Sequence, residues 1–120
     1  MSARRRRFVR KMATLVETTD DVFAVLERYK ASSVELAAGV ERGENLEDIY
    51  PIIEGPARPR EVTEVLEKFE SARHQVRLAM FELGHEQGLS ISEVGRQLGM
   101  SRQRASHLVN TARRTDSKSK

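Results

Sequence analysis

Apolar residues recur along this chain three and four positions apart, and glycines and prolines punctuate the stretches in which they do so. Val22, Val25, Leu26, Tyr29, Val34, Leu36, Ala37 and Val40 make a broad stripe interrupted at Ser32 and Ser33. The stripe predicts one long helix from about Thr19 to Arg42. Thr18, Thr19 or Asp20 is its cap, Asp20 and Asp21 suit the first turn, and Gly43 is the stop. The preceding piece, Phe8 to Leu15, is either a short helix of its own or a continuation into this one. A second long helix is expected from about Pro59 to Gln87. Its apolar face is Val62, Val65, Leu66, Phe69, Ala72, Val76, Leu78, Ala79, Met80 and Leu83, its early turns carry Glu61, Glu64 and Glu67, and Gly88 closes it. At roughly 1.5 Å per residue such a helix exceeds 40 Å, so its two halves should serve different parts of the molecule.

Residues 44–60 hold all three prolines. Leu46, Ile49 and Tyr50 suggest a single helical turn, and Tyr50 is expected to leave the helical region because Pro51 follows it. Ile52 and Ile53 are too apolar for a free loop and should pin the segment to the core. Gly55 to Pro59 is the expected hinge between an N-terminal unit and a C-terminal one.

The stretch with the most specific pattern runs from Gly88 to Arg114. Ile91, Val94, Gly95 and Leu98 fall at i, i+3, i+4 and i+7, so they share one face of a short helix. Ser90 or Ser92 is its N-cap, and with Ser90 there Glu93 completes a capping box. Gly99 stands where a helix end favours a residue tolerant of positive φ. Ser101 then caps a second helix over about 101–113, with Ala105, Leu108 and Val109 inside. Gly95 lets the two helices approach closely, and Met100 is placed to fill the gap between them. Two short helices, a tight glycine turn and a polar outer face describe a helix-turn-helix.

These residues also carry a resemblance. Gly88-Leu89-Ser90, Glu93-Val94-Gly95, Leu98 to Arg104 and His107-Leu108 resemble the DNA-binding motif of the promoter-reading C-terminal domain, region four, of bacterial sigma factors. The likeness covers roughly a quarter of the chain and no other sigma domain. It implies that Arg102, Gln103, Arg104, Ser106 and His107 face the major groove. Gln103 stands where many sigma factors carry a glutamate, so no base preference carries over.

The charge distribution fits a DNA binder. The formal net charge is +3, but residues 1–11 carry six positive and no negative charges, and residues 90–120 carry seven positive and two negative ones; the region between is acidic. The opening run, with Arg4, Arg5, Arg6 and Arg7, reads either as an arm on the phosphates or in a minor groove, or as a tail or the cationic start of a helix. Arg102 and Arg104 have the two-pronged geometry for guanine, and Gln103 or Asn110 for adenine. Ser90, Arg96, Ser101, Arg113 and Arg114, with Arg4 to Arg7, are the candidate phosphate contacts.

Other chemistry finds little support. With no cysteine there is no disulfide or thiolate site, and the context reads as a reducing bacterial cytoplasm, at the nucleoid. His74 and His85 lie three helical turns apart, too far to share a metal, and Glu82 with His85 is a lone i, i+3 pair. No phosphate-cradling loop or nucleophile-base pair is present, so neither enzyme activity nor a cofactor is expected. No apolar run approaches the roughly 20 residues of a membrane span. The expected organisation is all-α: a basic arm over 1–18, a helical and dimerisation unit over 19–58, a tri-helical DNA-binding unit over 59–114 and a disordered tail over 115–120. The expected function is that of a sequence-specific regulator on double-stranded DNA, acting as a homodimer on two half-sites. The alternatives are a sigma-like adaptor that contacts RNA polymerase or another regulator, and a non-specific nucleoid binder.

Overall fold

The computed structural model describes the backbone of residues 1–119 and the side chains of residues 1–114. Among these the chain is all-helical: α1 (Ala3–Glu41), α2 (Leu46–Ile52), α3 (Ala57–Glu86), α4 (Ile91–Gln97) and α5 (Arg102–Ser119). No helix among them is long and apolar enough to cross a membrane. They form two compact units. One is Leu15–Ser71, the other Met1–Thr14 together with Ala72–Lys120. The boundary therefore falls inside α1 and α3, not at the proline-rich segment.

The first long helix starts sixteen residues earlier than its apolar stripe suggests (from Ala3, against the expected Thr19). Neither glycine nor proline interrupts the chain before Gly39, and Thr19, one of the would-be caps, turns inward. Thr19 Oγ1 donates to the Leu15 carbonyl at 2.7 Å and Thr14 Oγ1 to that of Arg10 at 3.2 Å, so each satisfies its hydroxyl within the helix. The true cap is Ser2, whose hydroxyl oxygen accepts from the Arg5 N–H at 3.1 Å. The basic arm over 1–18 is thus the opening of α1. Its arginines sit at the positive end of the helix dipole, an unfavourable place for cations. Carboxylates of α3 offset this: Ser2 donates to Glu86 at 2.8 Å, and Arg7 lies 3.8 Å from Glu82.

In the Leu15–Ser71 unit, Val22 and Val25 of α1 bury against Val65 of α3, with Val62 and Phe69 at the margin. Ile49 of α2 is buried at Gly39, where an added Cβ would come within 1.9 Å of the Ile49 Cδ1. The expected hinge is held in place. The Arg58 guanidinium donates to Ser32 at 3.2 Å, to Glu54 at 3.0 Å and to Glu61 at 3.2 Å, and its side chain is only 17% exposed. Gly55 is buried against the Tyr50 ring. Two local expectations are corrected here. Tyr50 stays helical, and Pro51 lies within α2, in a helix so short that few backbone bonds depend on the missing N–H. Ile52 does not pin the segment but is 79% exposed; Ile49, one turn earlier on the inner face, does so instead.

In the second unit, Phe81 of α3, Val94 of α4 and Ala105 and Val109 of α5 make the core. Phe81 lies outside the single apolar face read from α3. Ala72, Val76 and Ala79 line one side of this half-helix and Phe81 with Gly84 another, because the C-terminal half of α3 is covered on more than one side. Gly84 admits Val94, whose Cγ2 would meet an added Cβ at 2.5 Å. The backbone of α5 runs on to Ser119, where a tail over 115–120 was expected, since no glycine or proline follows Gly99 to stop it. Lys120 and the side chains from 115 onward lie outside the described residues.

Candidate nucleic-acid interface

α4 is held at both ends. The Ser90 hydroxyl accepts from the Glu93 N–H at 3.1 Å, so Ser90 and not Ser92 is the cap. At the other end Gly99 takes φ +74°, and the Met100 N–H reaches back to the Gly95 carbonyl at 2.8 Å while the Gly99 N–H bonds that of Arg96 at 3.0 Å. This pair of bonds is the left-handed helix ending that glycine makes without steric cost. It turns the chain within four residues, and Ser101 restarts it, its hydroxyl accepting from the Arg104 N–H at 3.1 Å.

Close approach sets the pose of α5 against α4. An added Cβ on Gly95 would lie 2.6 Å from the Ala105 Cβ. Val94 is 3% exposed and Ala105 fully buried, and Ile91, Leu98, Met100 and Leu108 pack around them. Small residues at both positions are therefore a steric requirement, and they bring the backbones together. With the inner face so fixed, the outer face of α5 follows. Gln103, His107, Asn110 and Arg114 fall in one row at i, i+4, i+7 and i+11, and Arg102, Ser106 and Arg113 in the next. All of these except the half-buried Ser106 are exposed, as is Arg104.

The candidate phosphate contacts divide into two groups. Ser90 and Ser101 use their oxygens as caps, which leaves each hydroxyl hydrogen able to donate outward. Arg96 and Arg102 border a shallow groove of about 600 Å³ where the starts of α4 and α5 meet. Arg113 and Arg114 are exposed on the fourth turn of α5. Arg4 and Arg5 are exposed on the first turns of α1, but Arg6 donates to the Met1 carbonyl and Arg7 faces Glu82. The opening arginines are therefore a fixed helical patch, two of whose members have partners within the chain. The positions of Ser2 and Glu86, which pin this patch, went unread in the sequence, because a serine at position 2 signals a cap only once the helix is known to start there.

No family model, curated protein or solved structure matches the chain.

Proposed function

We propose that the protein is a sequence-specific double-stranded DNA-binding regulator, with α4 and α5 acting as a helix-turn-helix and α5 entering the major groove. The observation that carries this reading is the join between the two helices: a positive-φ Gly99, a serine cap on each helix and the Gly95–Ala105 approach. Together they leave an arginine- and amide-rich outer face on α5. A solvated bundle helix has no need of such tight constraint, whereas base readout requires side chains delivered from a rigid element. Arg102 and Arg104 suit guanine O6 and N7, and Gln103 and Asn110 suit adenine N6 and N7. Arg96, Arg113, Arg114 and Arg4 to Arg7 supply counterion-releasing contacts that give affinity without sequence preference.

One helix in one groove reads few bases, so we place two copies on a two-half-site element about one helical turn apart. The Leu15–Ser71 unit favours a protein partner through its exposed apolar side chains, Phe23, Val34 and Leu46 among them. The partner in this reading is a second copy; RNA polymerase or another regulator in the same place makes the protein an adaptor.

Affinity selection on random duplexes at near-physiological salt tests the reading. A twofold-symmetric enriched motif is the expected result. Binding without enrichment would replace it with non-specific nucleoid binding, and no binding without a second protein would replace it with the adaptor. On the selected site, Gln103→Ala is expected to cost about 1–3 kcal/mol and to relax the preference at one base pair. A uniform loss across all duplexes would make Gln103 a positioning residue.

A further inference from the structure

The second unit contains a cleft of about 840 Å³ on the side of α5 away from its polar outer face. Its walls are the first turns of α1, the C-terminal half of α3 and the inner side of the last described turns of α5, with Arg113 at the flank between that side and the outer face. Leu78, Phe81 and Leu108 form an apolar floor, and Arg4, Arg7, Arg10 and Arg113 stand around it. Glu82 is the sole carboxylate in the lining, and it already faces Arg7 at 3.8 Å. Among the described residues, Arg4, Arg10 and Arg113 have no ion-pair partner.

Apolar clefts of some 300–1,000 Å³ with a few convergent polar groups are the usual form of a small-molecule site. Here the charged groups outside the Arg7–Glu82 pair share one sign. Among the described residues these three guanidiniums have no counter-charge, and an anion seated on the apolar floor would be attracted to all of them. Inorganic phosphate would leave the floor wet, and an uncharged lipid would leave the cations unmatched.

We propose that this cleft binds an amphipathic organic anion, with its carboxylate, sulfonate or phosphate head among Arg4, Arg10 and Arg113 and its apolar body on Leu78, Phe81 and Leu108. Such a ligand neutralises cations on α1 and α5 and presses on the inner side of the helix assigned to the groove, so it acts as an effector that weakens DNA binding. The effector role rests on the DNA-binding reading; the ligand site does not.

Fluorescence of anilinonaphthalene sulfonate titrated into the full-length protein reads the site without DNA. Saturable binding at one site per chain is expected, displaced by decanoate but not by decanol or inorganic sulfate. Arg10→Glu, on an exposed rim position with no assigned DNA contact, should weaken it about tenfold, the equivalent of losing one favourable charge interaction, with helix content unchanged by circular dichroism. Leu78→Gln tests the floor in the same way. Unsaturable binding, equal displacement by decanol, or unchanged affinity in Arg10→Glu would overturn the site. The second arm measures duplex binding with and without decanoate. A lower affinity supports the effector role, and decanoate bound with duplex affinity unchanged removes that role while leaving the site in place.

Discussion

The two units use similar apolar residues with different results. In the unit containing α4 and α5, short helices meet at steep turns, and each covers the inner faces of the others: Val94 and Ala105 are almost wholly withdrawn from water. In the Leu15–Ser71 unit, two long helices and one short one can cover only one stripe each. Val22, Val25 and Val65 lie inside, whereas Phe23, one residue from Val22 and on another face of the same helix, is 64% exposed. Hydrophobic residues outside a small core are ordinary one at a time, but several of them on one unit are the observation behind the proposed partner surface. The unit containing α4 and α5 closes on itself. The Leu15–Ser71 unit has apolar surface to spare.

The largest expected effect falls where a close approach has the least room to yield. Gly95→Val places its Cβ against that of Ala105 at 2.6 Å, between two backbones that cannot separate without opening the turn. Overpacking of this kind costs about 2–3 kcal/mol, so a fall in denaturation midpoint together with loss of duplex binding is the expected outcome. Gly39 is the matching close approach in the other unit. There the obstacles are the end of the Ile49 side chain and the exposed Glu44 carboxylate, both able to swing aside. Gly39→Ala should therefore stay within about 1 kcal/mol of the parent, since it also gains helix propensity. Equal losses at the two glycines would remove the distinction between the units.

An intermediate effect is expected at Arg58. Its guanidinium holds Ser32 of α1, Glu54 of the turn and Glu61 of α3 at once, which makes it the polar centre of a unit with few buried apolar groups. Arg58→Ala removes charge-assisted bonds but leaves both carboxylates in reach of water, so a loss of about 1–2 kcal/mol is expected in thermal or urea unfolding. Arg58→Lys should recover little of it, because an ammonium cannot fork to three partners. A change below about 0.5 kcal/mol would return Gly55 to Pro59 to the role of a hinge, since ordinary surface substitutions fall in that range.

What was legible in the sequence follows the same division. The α4–α5 segment was readable almost residue by residue, because its determinants are local: a serine three residues before an amide it caps, a glycine at a left-handed position, small residues one turn apart. The start of α1 and the unit boundary were not. Thr18 and Thr19 look like caps to any local reading, and only the bond from Thr19 back to Leu15 shows that the helix has already begun. Gly55, Pro56 and Pro59 look like a hinge until Arg58 is seen to join a residue 26 positions upstream. Phe81 falls off the apolar stripe of α3, and its burial depends on helices that arrive later in the chain. Long-range contacts decided the hinge and Phe81, and periodicity carries no record of them; at the start of α1 a side chain bonds back into a helix that the apolar stripe does not mark.

The smallest effect on folding is expected at Phe23, and it bears most directly on the comparison. In an isolated chain Phe23→Ser removes a ring that is mostly in water, so unfolding at low concentration should shift by no more than about 0.5 kcal/mol. If a second copy covers this face, the same ring is buried in the dimer. Its removal then raises the dimer dissociation constant by tenfold or more, at about 1.4 kcal/mol per factor of ten. Sedimentation across a concentration series separates the two quantities, since stability linked to association rises with protein concentration and intrinsic stability does not. A monomer at all concentrations, with Phe23→Ser silent, would move the exposed apolar surface of this unit from a second copy to a different protein. A weakened dimer would instead join the two units in one logic. The self-contained unit would then be the one proposed to read DNA, and the incompletely covered one would set how many copies act together.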